Sequence, residues 1–132
     1  TFLVEQFRWN KWLKVGEQDG VGIDILNSYS VDVSPFLTTG INKFRVKQVD
    51  YSGAPRISPV AIIETDIGAV KILSIEKKTL NFSEVTMYEV YDFYGNMVKK
   101  GMDNFIDLSN LEKGQYKLNY DSIQEQIISY PR

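Results

Sequence analysis

The stretch Val90-Tyr91-Asp92-Phe93-Tyr94-Gly95-Asn96-Met97-Val98 is the strongest indication of fold in this chain. Apolar or aromatic residues stand on both sides of an Asp-x-x-Gly turn, which is typical of two tightly joined antiparallel strands. The Asp side chain can accept hydrogen bonds from N–H groups ahead of it, and the Gly can adopt the positive φ that returns the chain. Asp50-Tyr51-Ser52-Gly53 repeats the pattern. We therefore predict that Asp50, Gly53, Asp92 and Gly95 define two hairpin turns.

Gly114 predicts a further turn, into a strand that follows the hairpin. Beyond it Tyr116, Leu118 and Tyr120 alternate with polar residues, and a period of two indicates a strand with one buried face. The same alternation occurs over residues 28–34 and 43–47. No window of helical length has an apolar stripe bounded by caps. The sequence therefore predicts an all-β protein with almost no α-helix.

The domain organisation follows from the spacing of the strands. Many short strands with closely spaced turns predict two small antiparallel β-sandwiches of the immunoglobulin-like type, arranged in tandem. The chain has 132 residues, 43% of them hydrophobic, which allows two small cores. A fresh series of strands begins after Glu64. We therefore expect one domain over residues 1–64 and a second over residues 65–132.

Composition excludes several classes of function. The formal net charge of -2 gives little electrostatic support to binding of nucleic acid. The chain contains no His and no Cys, which excludes imidazole bases, thiol nucleophiles, disulfides and most zinc, haem and iron–sulfur sites. We expect no metal site, no cofactor and no nucleic-acid partner.

Motifs for catalysis are also absent from the sequence. There is no Gly-x-Ser-x-Gly, no Gly-rich phosphate loop, and no motif that singles out a pair among the 17 acidic residues. An isolated Asp-x-x-Gly lacks the cluster of oxygen ligands that calcium needs. The chain is therefore expected to have no catalytic residue and not to be an enzyme.

One run in the first half can be compared with a known family. Phe44-Arg45-Val46-Lys47-Gln48-Val49-Asp50-x-x-Gly53, with Trp12 and Pro35 before it, resembles the fibronectin type III-like modules of secreted proteins from gliding and polysaccharide-degrading Gram-negative bacteria. The resemblance covers about residues 1–64. Such sandwiches have about seven strands, and five candidate strands precede Glu64. The resemblance implies a module without its first two strands, which upstream residues or another segment would supply.

Two motifs in the second half can be compared in the same way. They are Tyr91-Asp92-x-x-Gly95-x-x-Val98 and Ile106-Asp107-Leu108-Ser109-x-Leu111-x-x-Gly114-x-Tyr116, followed by a final apolar strand with Ile127 and Ile128. Together they are similar to the C-terminal sorting domain of the type IX secretion system. The resemblance covers about residues 66–132 and implies a small β-sandwich read by export machinery. The proline-asparagine-proline opening usual in that family is replaced by Thr65-Asp66-Ile67-Gly68-Ala69.

The two resemblances together imply a non-catalytic C-terminal module of an exported protein, with the second domain as a secretion-targeting domain and the first as a spacer. The expected partners are proteins of the outer-membrane secretion machinery and an upstream cargo domain of the same polypeptide. The expected location is the cell surface or exterior, reached through the periplasm and outer membrane. Two alternatives stay open: a structural or adhesive module retained in a surface or translocon assembly, and a carbohydrate-binding module.

Aromatic residues are the candidate contacts with a partner. Tyr91, Phe93 and Tyr94 surround the turn glycine, and successive strand residues face opposite ways, so at least one of them should lie on the surface. The alternative is a small aromatic cluster under the hairpin. Tyr116, in the following strand, is a further candidate contact.

The two tryptophans receive different interpretations. Trp9 falls in a predicted turn, where we expect an exposed indole that could contact a partner or a glycan. Trp12 lies at a family core position, and we expect it to pack inside.

Lys43, Arg45 and Lys47 form a basic stripe on one strand face. It could be an anion-binding surface, or a solvated face whose charges discourage pairing of strand edges. The net negative charge of the chain favours the solvated face.

Overall fold

The computed structural model of the chain describes residues 1–18, 31–49 and 56–130. The chain divides into two compact units, Thr1–Ile67 and Gly68–Arg132. The fold is all-β, as predicted, with two antiparallel sheets. The strands of the described residues are β1 (Phe2–Arg8), β2 (Lys11–Gln18), β3 (Gly40–Gln48), β4 (Arg56–Ile57), β5 (Ala61–Thr65), β6 (Ile72–Glu76), β7 (Thr79–Tyr91), β8 (Met97–Asp107), β9 (Gly114–Tyr120) and β10 (Ile123–Tyr130).

The sheet of the first unit is centred on β3. Strand β1 lies between β2 and β3, and both β4 and β5 pair with the other side of β3. The alternation predicted over residues 43–47 holds at Phe44, which is buried with Asn42 on one face while Lys43 is exposed on the other, but it fails at Val46, which is exposed. The segment before β3 covers part of the buried face, where the Phe36 carbonyl accepts a hydrogen bond from Gln6 Nε2 at 2.9 Å.

The strand expected over residues 28–34 is not formed in its described part. Residues 31–33 are irregular, and a 3₁₀ turn follows at Ser34–Phe36. The physical reason is local, because Asp32 Oδ1 accepts hydrogen bonds from both the backbone N–H and the hydroxyl of Ser34, at 2.9 and 2.6 Å. These bonds hold the pKa of Asp32 below 3.8. Such a turn, with Pro35 inside it, competes successfully with a strand.

The sheet of the second unit bends around its own core. Its strand order is β10-β9-β7-β6, and β8 pairs with β7. The first part of β7 pairs with β6 and the last part with β9, and the β7–β8 register shifts between Asn81 and Thr86. The extra residues at this shift bend the strand. Phe82, which lies within this shift, stacks on Tyr120 of β9 with ring centroids 5.3 Å apart.

The core of the second unit is apolar. Its most deeply buried side chains are Leu80, Val90, Ile106, Leu108 and Leu118, which have no exposed surface. The remaining buried members of the cluster are Val70, Phe82, Tyr116, Tyr120, Ile128 and Tyr130. The alternation predicted for Tyr116, Leu118 and Tyr120 is therefore confirmed, since all three face this core.

Candidate functional site: an aromatic hairpin face

The turn between β7 and β8 has the geometry that the sequence predicts. Asp92 Oδ1 accepts hydrogen bonds from the N–H groups of Tyr94 and Asn96, both at 2.9 Å, and Gly95 has a φ of 87°. The backbone bond from the Asn96 N–H is the largest of several that lower the pKa of Asp92 below its usual 3.8. The Asp92 side chain and Gly95 thus stabilise the turn itself. The aromatic residues around the turn are therefore the candidates for contacts with a partner. The related turn predicted at Asp50–Gly53 lies outside the described residues.

Phe93 and Tyr94 project from this turn into solvent. Half of the Phe93 side chain is exposed (50%), and Tyr94 is almost fully exposed (92%). The interpretation as a small cluster under the hairpin is therefore wrong for these two rings. Aromatic rings of this kind are enriched where proteins meet partners, because they offer a large contact area with little flexibility.

The outer face of the sheet continues the surface of the turn. In the strand registers, Ile127 lies opposite Lys117, Lys117 opposite Tyr91, and Tyr91 opposite Met97. Ile127 and Met97 are exposed. The Lys117 ammonium lies 5.5 Å from the centre of the Phe93 ring, which joins this row to the turn through a cation–π contact. We call Tyr91, Phe93, Tyr94, Met97, Lys117 and Ile127 the hairpin face.

A buried polar network holds Tyr91 in place. Its hydroxyl donates to Glu89 Oε1 at 3.1 Å, and Asn119 Nδ2 donates to the same oxygen at 3.2 Å. Asn119 Oδ1 in turn accepts from the Glu125 N–H at 2.9 Å. Glu89 and Asn119 are both buried. The base of the hairpin face is therefore fixed.

The composition of the hairpin face is suited to binding. It offers apolar and aromatic surface with one central cation, an arrangement that complements an apolar surface carrying a carboxylate. Among residues 1–18, 31–49 and 56–130, no group of three or more Asp or Glu side chains is placed to hold a metal ion.

Tyr116 does not belong to this face, although the sequence singled it out as a contact. Its ring is buried in the core of the second unit, and its hydroxyl donates to the carbonyl of Glu112. Burial raises the pKa of the Tyr116 phenol above 10.0, with a further contribution from the Glu112 carboxylate. The expectation of a surface role for Tyr116 is therefore wrong. Gly114 begins β9, two residues earlier.

Trp9 is also buried, which contradicts the expected exposed indole. It lies in the β1–β2 turn as predicted, yet only 7% of it is exposed, and the Arg8 guanidinium stacks on its ring at 4.7 Å. Trp9 and Asn10 have φ values of 53° and 63°. Two consecutive positive φ values are typical of a two-residue hairpin turn. The twist of such a turn directs the side chains of Trp9 and Asn10 differently from the side chains of an open loop. The ring therefore cannot serve as a platform for a partner or a glycan.

Trp12, expected in the core, lies half-buried on the opposite face from Phe44. Its ring meets Phe7 edge-on at 5.2 Å and carries the Arg45 guanidinium at 4.2 Å. Arg45 also donates to Glu5 at 2.8 Å. Of the basic stripe, the middle residue is thus committed to this internal pair, while Lys43 is exposed. Strand β3 is paired on both sides, so the stripe does not protect a sheet edge.

Comparisons with known proteins identify no relative of this chain. No family model, no curated protein and no solved structure matches the chain. Within the described part of the chain, no helix has the length and apolar character needed to cross a membrane.

Sequence reasoning found half of the hairpin face. Tyr91, Phe93 and Tyr94 follow from the turn motif, whereas Lys117, Met97 and Ile127 were missed. A usable signal existed for Lys117, because it alternates with the core residues of β9 and must therefore point outward. Its position beside Tyr91 depends on strand register, which the local sequence does not determine.

Proposed function

We propose that the chain is a non-catalytic recognition module of an exported protein, and that the second unit is its targeting element. In this proposal the folded unit docks onto a protein of the type IX outer-membrane secretion machinery through the hairpin face. The observation that carries the proposal is the exposure of Phe93 and Tyr94 on a turn whose base is fixed by a buried network.

The arrangement suits recognition of a folded signal. The second unit encloses its own apolar core, so the hairpin face is preorganised and little ordering entropy opposes binding. Tyr94 and Phe93 supply rigid anchors, and Lys117 supplies a charge that can select a carboxylate on the partner. The first unit acts as a spacer between this element and the cargo.

A test uses the full chain fused behind a reporter that is delivered to the periplasm of a host with type IX secretion. We expect the reporter to reach the cell surface. The double variant Phe93→Ala/Tyr94→Ala is expected to remain periplasmic, because both anchors are lost while the turn bonds of Asp92 and Gly95 are kept. The matched control, Leu73→Ala/Val85→Ala, removes two other exposed apolar side chains of the same unit and should be exported normally.

The alternative of a permanently retained structural or adhesive module predicts a different product. Intact-mass measurement of the surface reporter separates the two, since a sorting element is removed and a structural module stays attached. Retention of the unaltered fusion in the periplasm, or equal export of the double variant with its fold verified by circular dichroism, would contradict the proposal. Carbohydrate binding through Trp9 is not retained as a candidate, because that ring is buried.

A further inference from the structure

Among the described residues, strand β5 pairs only with β3 and so forms an edge of the first sheet. It pairs with β3 through five consecutive residue pairs, from Phe44–Ala61 to Gly40–Thr65, without a register shift. Residues 61–64 are all exposed, with Ile62 at 63% and Ile63 at 38%. A regular, apolar edge of this kind is a template for pairing with another strand.

The other edge strands carry the protections that β5 lacks. Strands β2 and β8 present lysines, including Lys14 and Lys99. Strands β6 and β10 are interrupted by register shifts. Strand β5, with the sequence Ala-Ile-Ile-Glu-Thr, has no cation, no proline and no bulge. It is therefore the least protected regular edge in the described residues.

The backbone groups that β5 directs outward can be assigned. Val46 directs both its N–H and its C=O towards this side of β3, because it bonds Ser58 at 2.8 and 2.9 Å. Residues two apart on a strand point the same way, so Phe44 and Asn42 also bond towards β5. Ala61 and Ile63 are then their hydrogen-bonded partners, and Ile62 and Glu64 direct their N–H and C=O groups away from the sheet.

We propose that the β5 edge pairs with the β5 edge of a second copy of this chain, in antiparallel orientation and centred on Ile63. In this register Ile62 lies opposite Glu64 of the second copy, and Glu64 lies opposite Ile62 of the second copy. The outward groups of both residues are then satisfied in reciprocal pairs. Ile63 meets its own copy in a close, non-hydrogen-bonded pair, where side chains approach most nearly.

The charges of Lys43 and Glu64 favour this register with a second copy. Lys43 lies opposite Ile62 within the sheet, so Glu64 of the second copy comes to lie on the same cross-strand row as Lys43, on the far side of Ile62, where the two long side chains can reach each other across it. Neither Lys43 nor Glu64 has an ion-pair partner among the described residues. A shift that aligned Glu64 with its own copy would place like charges together. A shift that aligned Ile62 with its own copy would place Glu64 opposite a residue that precedes β5 of the second copy, so Glu64 would have no strand partner.

The dimer is expected to be weak. A single pair of five-residue strands buries much less than the roughly 800 Å² per partner of a stable complex. We expect a dissociation constant on the order of 100 µM. Pairing at such concentrations would bring two copies together where the protein is crowded and leave dilute protein monomeric.

The test is sedimentation equilibrium of the full chain from about 1 µM to 1 mM, combined with amide hydrogen exchange over the same concentrations. The amides of Ile62 and Glu64 should exchange rapidly in dilute protein and become protected as the dimer forms. The amide of Ile63, which already bonds β3, should be protected throughout. Monomer at all concentrations, or protection of Ile62 and Glu64 already in dilute protein, would overturn the proposal.

Charge reversal identifies the register. Glu64→Lys should weaken association at least about tenfold, and Lys43→Glu combined with Glu64→Lys should restore it to within about threefold. Leu73→Lys, at an exposed leucine of the other unit, is the matched control and should leave association unchanged. A dimer that is insensitive to Glu64→Lys, or whose newly protected amides lie on another edge, would refute pairing through β5.

Discussion

In the second unit the buried positions hold mainly aliphatic and aromatic side chains, whereas among the described residues of the first unit polar side chains occupy most of them. Among the described residues of the first unit, only Trp9 and Phe44 are buried apolar residues. Their buried neighbours are Gln6, Arg8, Thr38 and Asn42. The two sheets have the same number of strands, yet different forces hold their described parts: area removed from water in one, and hydrogen bonds of buried polar side chains in the other.

Asn42 illustrates the polar solution. Its Oδ1 accepts from the N–H of Thr38 at 2.8 Å, and its Nδ2 donates to the carbonyls of Thr38 and Ile63 at 2.9 and 3.2 Å. One side chain therefore ties the segment before β3 to the edge strand β5. Folding exchanges hydrogen bonds to water for internal ones, so each internal bond adds little to the free energy of unfolding. Removing one partner is costly, however, because the other is left buried and unsatisfied.

The largest effect is expected from the apolar core. Leu118→Ala should destabilise the second unit by about 4 kcal/mol, because it removes a fully buried side chain and leaves a cavity. Chemical denaturation followed by the amide NMR signals of β9 measures this change in the free energy of unfolding. Leu73→Ala makes the same chemical change at an exposed site and should cost less than about 0.5 kcal/mol. Equal effects of the two variants would refute the assignment of the core.

Asn42→Leu tests the first unit. The substitution keeps the size of the side chain but leaves the buried N–H of Thr38 unsatisfied, while the Thr38 carbonyl keeps its bond from the Thr65 hydroxyl, so a loss of about 2 kcal/mol is expected. Amide signals of β3 report it during urea titration. Asn104→Leu, at an exposed position of β8, is the control and should be nearly neutral. Stabilisation by Asn42→Leu would show that apolar burial governs the first unit as well.

Gly95→Ala should have a smaller effect. The residue has a φ of 87° with open space around its Cα, so an alanine meets no atom but is strained by about 1 kcal/mol. Gly95→Asn should cost less, since Asn tolerates this region better. The order of the two midpoints in urea checks the prediction, and a reversed order would count against a backbone cause.

Acid should weaken the second unit through its turn carboxylates. Hydrogen bonds hold the folded-state pKa values of Asp92 and Asp107 below 3.8, the leading donors being the Asn96 N–H and the Ser109 side chain. A depressed pKa gives stability that is fully present above the unfolded value and is lost as pH falls through the folded one. The urea midpoint should therefore decline from about pH 5 downward, and Asp92→Asn should flatten part of that decline. An unchanged profile in the variant would exclude the Asp92 contribution.

Local patterns predicted the parts of the fold that depend on neighbouring residues. The Asp92–Gly95 turn and the inward face of β9 are both decided within a few residues, because turn bonds and alternation are short-range. Residues 31–33 show the limit of such reasoning, since the hydrogen bonds between Asp32 and Ser34 override the alternation.

The candidate site was only partly predictable, for physical reasons. Trp9 was expected to be exposed because it lies in a turn, but the two positive φ values of that turn accompany an indole that is buried beside Arg8. Lys117 reaches Phe93 only because β7 and β9 pair in a particular register. Contacts between distant segments depend on that register. A periodic pattern predicts which face of the sheet a residue occupies, but not which residue of the next strand lies opposite it.

The most direct test of the difference between the two units is urea denaturation of the full chain, followed separately by amide signals of β3 and β9. Leu118→Ala should lower the β9 midpoint and leave β3 unchanged, and Asn42→Leu should lower the β3 midpoint and leave β9 unchanged. A single transition for both sets of signals, shifted equally by either substitution, would contradict the account of two units held by different forces.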